Sequence, residues 1–326
     1  MSGIFYHLKA HPVLTAAVLL IVCCVLFLTI NVSGSWEFVL SLRSKKLLAL
    51  MTVGFAIGAS TLLFQTLTNN PILTPALLGF DSLYLLIKSV MVFVLGSVGM
   101  AAIPTLGKFA IEVAIMLGLS LLMFQLLFGR QSQDLTRLIL VGVVCGLLFR
   151  SLSFLVARMI DPEEFVTIQS VSYAGFNTVN TQVLGVGVAV CVVCAVLMYR
   201  LRFPLDILML GRLPAINLGI NYHRLTLGLL VMIALLVAVS TAMVGPVTFF
   251  GLLVCALANR IAPSMHHAVR LVLVSLLAML CLVAGQLVFE QVLKMAGILE
   301  VVIELVGGLV FLWIIFHQYN NKKAVL

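Results

Sequence analysis

The stretch from Arg224 to Arg260 reads RLTLGLLVMIALLVAVSTAMVGPVTFFGLLVCALANR, with no charged side chain between its two arginines. It holds two apolar runs, 225–244 and 247–258. About 20 consecutive apolar residues are enough for a helix to cross a bilayer. The same signature recurs at 13–32, 47–66, 82–103, 109–128, 138–157, 183–199, 271–293 and 305–316, some runs being short. That is room for about ten spans. The runs are continuous rather than alternating, which excludes a β-barrel. Of the 326 residues, 63% are hydrophobic and 9% charged. Soluble domains carry about 25% charged residues, so the solvent for this surface is lipid. The expected fold is an all-α polytopic membrane protein, residues 1–326 forming one transmembrane domain.

The net charge is +8, but the basic residues sit singly or in pairs at the ends of the runs. That is the anchoring pattern of a membrane protein, not a nucleic-acid footprint. The N-terminus, with Lys9 before an apolar run and no convincing cleavage site, reads as an uncleaved first helix. With that end in the cytoplasm, and an even span count returning the C-terminus there, the inside segments collect Lys9, Arg130, Arg137, Arg200, Arg202, Arg212, Arg224, Arg260, Arg270, Lys322 and Lys323. This obeys the positive-inside rule. Lys108, Arg158 and Lys294 are single exceptions, and Arg43, Lys45 and Lys46 are a clustered one on the outer face. A clustered exception suggests an acidic partner. The seven cysteines all fall inside apolar runs and read as small hydrophobes of helices.

One long inside segment, about 204–224, breaks the pattern: LDILMLGRLPAINLGINYHRL from Leu205 to Leu225. Pro204 can open a helix. Leu205, Leu208, Met209, Leu210, Leu213, Ile216 and Leu218 form an uneven apolar face, and Gly211 and Gly219 permit sharp turns. The reading is two short helices at the membrane surface, joined around Gly211 to Pro214; a lipid-hugging amphipathic loop is the alternative.

No phosphate-binding G-x-x-x-x-G-K-[ST] loop and no catalytic constellation occurs. The adjacent His266 and His267 do not share a helix face, so a structural role is expected for them. Ionisable residues within spans default to functional candidates: Asp81, Lys88, Glu112, Arg150, Glu290 and Glu304. Arg150 lies deepest, facing a polar path, a partner helix or an acid. Gly54-x-x-x-Gly58 lets a neighbouring helix approach closely, and Gly142 with Gly146, Gly185 with Gly187, and Gly307-Gly308 offer the same elsewhere.

Four stretches together resemble the FecCD-type permeases, the membrane subunits of ABC importers for iron-siderophore chelates and cobalamin. RSKKLLALMTVGFAIGASTLLFQTLTNNPILTPALLG, Arg43 to Gly79, resembles the family's R-x-P-R opening, its glycine-rich helix and its N-P-L-x-x-P-x-x-L-G turn, matched at Asn70, Pro71, Pro75, Leu78 and Gly79. VGPVTFFGLLVCALANR, Val244 to Arg260, resembles V-G-P-I-x-F-x-G-L-x-x-P-H-x-x-R, and IELVGGLVFLWII, Ile303 to Ile315, resembles the last helix. LMLGRLPAINLG resembles the segment that couples the permease to its ATPase. By position, Leu210, Gly211, Arg212, Ala215, Leu218 and Gly219 carry that contact.

The resemblance implies a permease subunit that moves ferric siderophores from periplasm to cytoplasm, driven by ATP and magnesium in a separate ATPase subunit. It binds no cofactor or metal itself, because the chelator already fills the iron's coordination. Its partners would be the ATPase, a second permease and a periplasmic substrate-binding protein; the last would dock on Arg43 and Lys46, with Lys45 beside them. Lys45 replaces the proline of the opening motif, Cys255-Ala256 replaces the Pro-His step, and AGILEVVIE stands where Glu-Leu-Pro-x-Gly is usual. Such changes look like the branch in which two different permeases pair, often for catecholate chelates. The missing proline is expected to straighten the eighth span. A weakly binding pathway is expected along Arg150, Ser151, Ser153, Gln169, Tyr173 and Asn177, with Ser170, Ser172 and Asn180 nearby. The alternatives are a cobalamin or haem permease of the same family, and a stand-alone proton-coupled transporter relaying through Asp81, Lys88 and Glu112.

Overall fold

The computed structural model describes residues 11–32, 35–127, 135–171, 173, 175–176, 179–292 and 308, and every regular element among them is helical. The order is α1 (Pro12–Thr29), α2 (Trp36–Thr68), a 3-10 turn (Pro75–Leu78), α3 (Phe80–Ala102), α4 (Thr105–Leu127), α5 (Leu135–Ala157) and α6 (Pro162–Val171). Then come α7 (Thr181–Arg200), α8 (Arg202–Leu208), α9 (Arg212–Asn217), α10 (Tyr222–Val244), α11 (Phe250–Ile261) and α12 (His267–Gln291). Seven of these, α1, α2, α4, α5, α7, α10 and α12, are long and apolar enough to cross a membrane. The apolar runs at 82–103 and 247–258 also hold helices, α3 and α11. The run at 305–316, the motif Ile303 to Ile315 apart from Gly308, and Lys9, Arg130, Ser172, Asn177, Lys294, Glu300, Glu304, Lys322 and Lys323 lie outside the described residues.

The helix α2 is the axis of the bundle. Its half from Ala49 to Leu67 is largely buried against α12, α10, α11 and α7. In lipid there is no hydrophobic drive between helices, so close backbone packing must hold them. A Cβ at Gly54 would stand 3.1 Å from the backbone of Ala278 and Met279, so α2 and α12 meet there almost backbone to backbone. The buried cysteines pack in the same seams: Cys191 Sγ points at the Thr52 carbonyl and Cys255 Sγ at the Gly58 carbonyl, each at 3.8 Å.

After α2 the chain folds back on itself. Asn69 takes a left-handed conformation (φ 49°) that ends the helix, Asn70 Oδ1 accepts from the Ile72 N–H (3.0 Å), and Gln65 Nε2 donates to the Pro71 carbonyl (2.7 Å). The 3-10 turn follows and closes on Gly79 at φ +82°. Gly142 and Gly146 of α5 serve this turn rather than another long helix: a Cβ on Gly79 would sit 2.6 Å from the Gly146 Cα. Gly79→Ala therefore meets both backbone strain and a clash. We expect it to destabilise the detergent-solubilised chain by about 1–3 kcal/mol, read as a lower melting temperature by fluorescence-detected size exclusion; an unchanged melting curve would contradict this packing.

Three local features differ from the sequence expectation. Gly96, at φ 63° and ψ 177°, interrupts α3 inside its apolar run. The polar stretch after α5 is itself a helix, α6. The eighth apolar run is shifted: α11 begins at Phe250, after a non-helical stretch whose Gly245, Pro246 and Val247 are buried. At 12 residues, α11 is about 18 Å long, little more than half the hydrocarbon thickness.

Candidate functional site

Two candidate surfaces form at different levels of the bundle. The first is the α8–α9 segment at one end. Leu205, Leu208 and Ala215 are buried and fasten it to the bundle. Leu210 (61% exposed), Leu213 (74%), Ile216 (46%) and Leu218 (60%) project outward as an apolar knob, and the exposed Arg212 rises beside it, 5.8 Å over the Tyr222 ring. Of the residues expected at this contact, Ala215 thus faces the bundle while the others lie at the surface. The helices start earlier than expected, α8 at Arg202, with Pro214 inside the first turn of α9.

Each glycine has its own reason. Gly211 joins the two helices at φ 98° and ψ 174°, a region essentially only glycine occupies. Gly219, at φ +85°, closes α9 in a Schellman motif: Ile220 N–H reaches the Ala215 carbonyl (3.1 Å) and Gly219 N–H the Ile216 carbonyl (2.9 Å). The side chain of Asp206 on α8 reaches the start of α12, where its carboxylate accepts from the His267 N–H and Nδ1, both at 2.7 Å. In the sequence Asp206 is a lone acid in a basic segment; its pairing with His266 and His267, 60 and 61 residues away, has no local signal.

The second surface is a cavity of ≈ 460 Å³ whose lining includes Asp81, Arg150, Ser153, Gln169, Tyr173, Pro246 and Thr248. Four of the six expected pathway residues, scattered over α5, α6 and the residue Tyr173, converge there. Ser151 lies in an adjoining groove with Arg158 and Met159. Ser153 Oγ also pairs with Ser89 Oγ at 2.8 Å, tying α5 to α3. Arg150 is exposed, with its guanidinium 5.8 Å over the Phe154 ring. Lys88 and Glu112, by contrast, are bonded to each other between α3 and α4 (2.5 Å) and are absent from the cavity lining.

The basic cluster at the opposite end is partly committed to structure. Arg43 Nη1 donates to the carbonyls of Ile30 (2.6 Å), Phe27 (3.1 Å) and Leu28 (3.4 Å), capping the C-terminus of α1. Lys46 pairs with Glu290 of α12. Lys45 is exposed.

A model of the FecCD transport family matches residues 13–317. The chain belongs to the FecCD transport family. It is 39% identical over 305 residues to the petrobactin import system permease protein YclO of Bacillus subtilis, covering 94% of this chain and 96% of that protein. It is 27% identical over 289 residues to the vitamin B12 import system permease protein BtuC of Klebsiella pneumoniae, covering 86% of this chain and 83% of that protein. A solved metal-chelate type ABC transporter in an inward-facing conformation superposes with a TM-score of 0.84 at 20% identity, over 94% of this chain and 99% of that one. At that identity the likeness establishes the fold. The FecCD chain is therefore a multi-pass helical membrane protein with this family's permease architecture.

Proposed function

We propose that this chain is the membrane-spanning permease subunit of an ABC importer for a ferric siderophore. The observation that carries the reading is the 39% identity, over nearly both full lengths, to a petrobactin import permease. In this reading the α8–α9 knob lies in the cytoplasm, where the exposed Arg200, Arg212, Arg224 and Arg260 satisfy the positive-inside rule. It docks on a separate ATPase that supplies ATP and magnesium chemistry. Both termini are cytoplasmic. A second permease, different in sequence, completes the path. A substrate-binding protein docks at the opposite end through acidic residues that meet Lys45, while Arg43 and Lys46 hold the surface beneath it. The cargo passes through the cavity lined by Arg150, Ser153, Gln169 and Tyr173, which offers polar contacts and no dedicated iron ligands. The similarity to BtuC favours cobalamin as the second reading.

Affinity purification from membranes in mild detergent tests the assembly. An ATPase and a second permease should be recovered with the chain, and the membranes should take up radio-iron as a ferric catecholate but not labelled cobalamin. Recovery of the chain alone, with uptake unaffected by ATP depletion, would refute the importer reading; uptake of cobalamin alone would select the second. The pathway has its own test. Single cysteines at Ser153, Gln169 and Tyr173 should react with membrane-impermeant thiol reagents from outside, at rates that change when ATP is added. Failure of all three to react would remove the cavity from the pathway.

A further inference from the structure

The ATPase-facing segment is tied into the bundle by a chain of side-chain hydrogen bonds that no docking surface requires. Its first member is Asp206. Oδ1 accepts from the His267 backbone N–H and from His267 Nδ1, both at 2.7 Å, while Oδ2 faces His266 Nδ1 at 3.3 Å. His266 precedes α12 and provides no side-chain cap, so an acid from another helix supplies the missing acceptor at the positive end of α12. Burial pushes the Asp206 carboxyl upward, but the hydrogen bonds from His267 and His266 outweigh it and hold the group below its ordinary value. It is therefore ionised at neutral pH, and an ionised carboxylate only accepts.

That fixes the next member. The proton between Asp206 and His267 must sit on Nδ1, so a neutral ring turns a bare Nε2 the other way. Nε2 lies 2.8 Å from Thr66 Oγ1, in the last turn of α2. The same hydroxyl stands 2.8 Å from the Leu62 carbonyl of its own helix. Thr66 thus has one proton and two acceptors. His267 is 0% exposed and Thr66 4%, so no bulk water can replace a broken link. Beyond Thr66 the connection is short: Gln65 holds the Pro71 carbonyl, the turn ends at Gly79 against Gly146, and Arg150 and Ser153 follow on the same helix at the cavity. A parallel strut leaves the same end of α12. Arg270 Nη2 donates to Asn259 Oδ1 of α11 (2.6 Å), and Nη1 approaches Met209 Sδ just after α8 (3.3 Å).

We propose that Asp206, His267 and Thr66 are positioning residues that carry displacement of the ATPase-docking segment to the last turn of α2 and, through the turn it leads into, to the cavity. The proposal rests on the reading of α8–α9 as that segment. It assigns transmission to buried polar groups and docking to the exposed apolar knob, so the two can be damaged separately. Asp206→Leu removes the one oxygen that accepts from both the His267 N–H and Nδ1, and keeps the size of the side chain. Thr66→Val removes the hydroxyl and keeps the shape.

The experiment uses the complex recovered from membranes, with a reporter cysteine at Gln169, and measures how far ATP changes its thiol-labelling rate. In the parent complex ATP should change that rate. Each single variant should retain the ATPase and its hydrolysis, yet lose about tenfold in the ATP-dependent rate ratio. The double variant should be no worse than either single one, because both break one chain. Independent, additive losses, an unchanged ratio, or loss of the ATPase from the purified complex would each overturn the link. A parent complex that contains no ATPase would instead overturn the underlying reading, and this is seen before any variant is made.

Discussion

Gly211→Val is expected to reduce coupled uptake by about 10- to 100-fold while the chain still inserts and purifies as a stable bundle. The backbone at φ 98° and ψ 174° is strained for any residue with a Cβ, at about 1–3 kcal/mol, and more for a β-branched one. Nothing lies within 4 Å of the position a Cβ would take, so no core clash accompanies the change. The strain is relieved by swinging α9 relative to α8, which displaces Leu213 and Ile216 from the knob. Gly211→Ala should fall between the parent and valine. Uptake of radio-iron normalised to the amount of purified chain, with ATPase recovery measured in parallel, checks this. Full uptake by the valine variant would show that the joint angle is irrelevant to coupling.

Glu112→Ala is expected to remove most folded protein from the membrane. Glu112 is 1% exposed and bonded to Lys88, itself 13% exposed and 5.4 Å from the Tyr84 ring. Deleting the acid leaves an uncompensated ammonium between α3 and α4, at about 3–5 kcal/mol. That is a large share of the total stability of a typical domain. The double variant Lys88→Met with Glu112→Leu replaces both charges by apolar groups of similar size and should restore the folded amount. Its uptake also separates two mechanisms. An importer driven by a separate ATPase should keep working without the pair; a proton relay through Lys88 and Glu112 should stop. If the double variant expresses no better than Glu112→Ala, the loss was not one of charge pairing.

How much of this was legible in the sequence follows from what hydropathy reports. It marks which segments prefer lipid, and outside 305–316 each apolar run it marked holds a helix among the described residues. It also exposed the α8–α9 segment, because an acid, arginines and asparagines stand out against so greasy a background. The polar residues that converge on the cavity stood out for the same reason. Hydropathy does not report which helices are neighbours. Lys88 and Glu112 read as candidate relay groups and not as an ion pair, because their pairing depends on how α3 faces α4. Arg43 read as a free outer charge because its partners are carbonyls at the end of α1, and carbonyls have no letter in a sequence. Asp206 and His267 met through the fold. Gly96 was hidden in an apolar run, where a glycine that breaks a helix looks like one that packs it.

The non-helical stretch between α10 and α11 has a consequence for selectivity. Val244 and Phe250 end one helix and begin another within the bundle, and Pro246 and Thr248 between them face the cavity. The wall there lies near two opposed half-dipoles, the carbonyl end of one helix beside the amide end of the next. The stretch itself carries no charged side chain, so this part of the lining favours neither an anionic nor a cationic chelate. Discrimination among chelates would then belong to whatever delivers them, and the permease would be built for quick release instead of recognition.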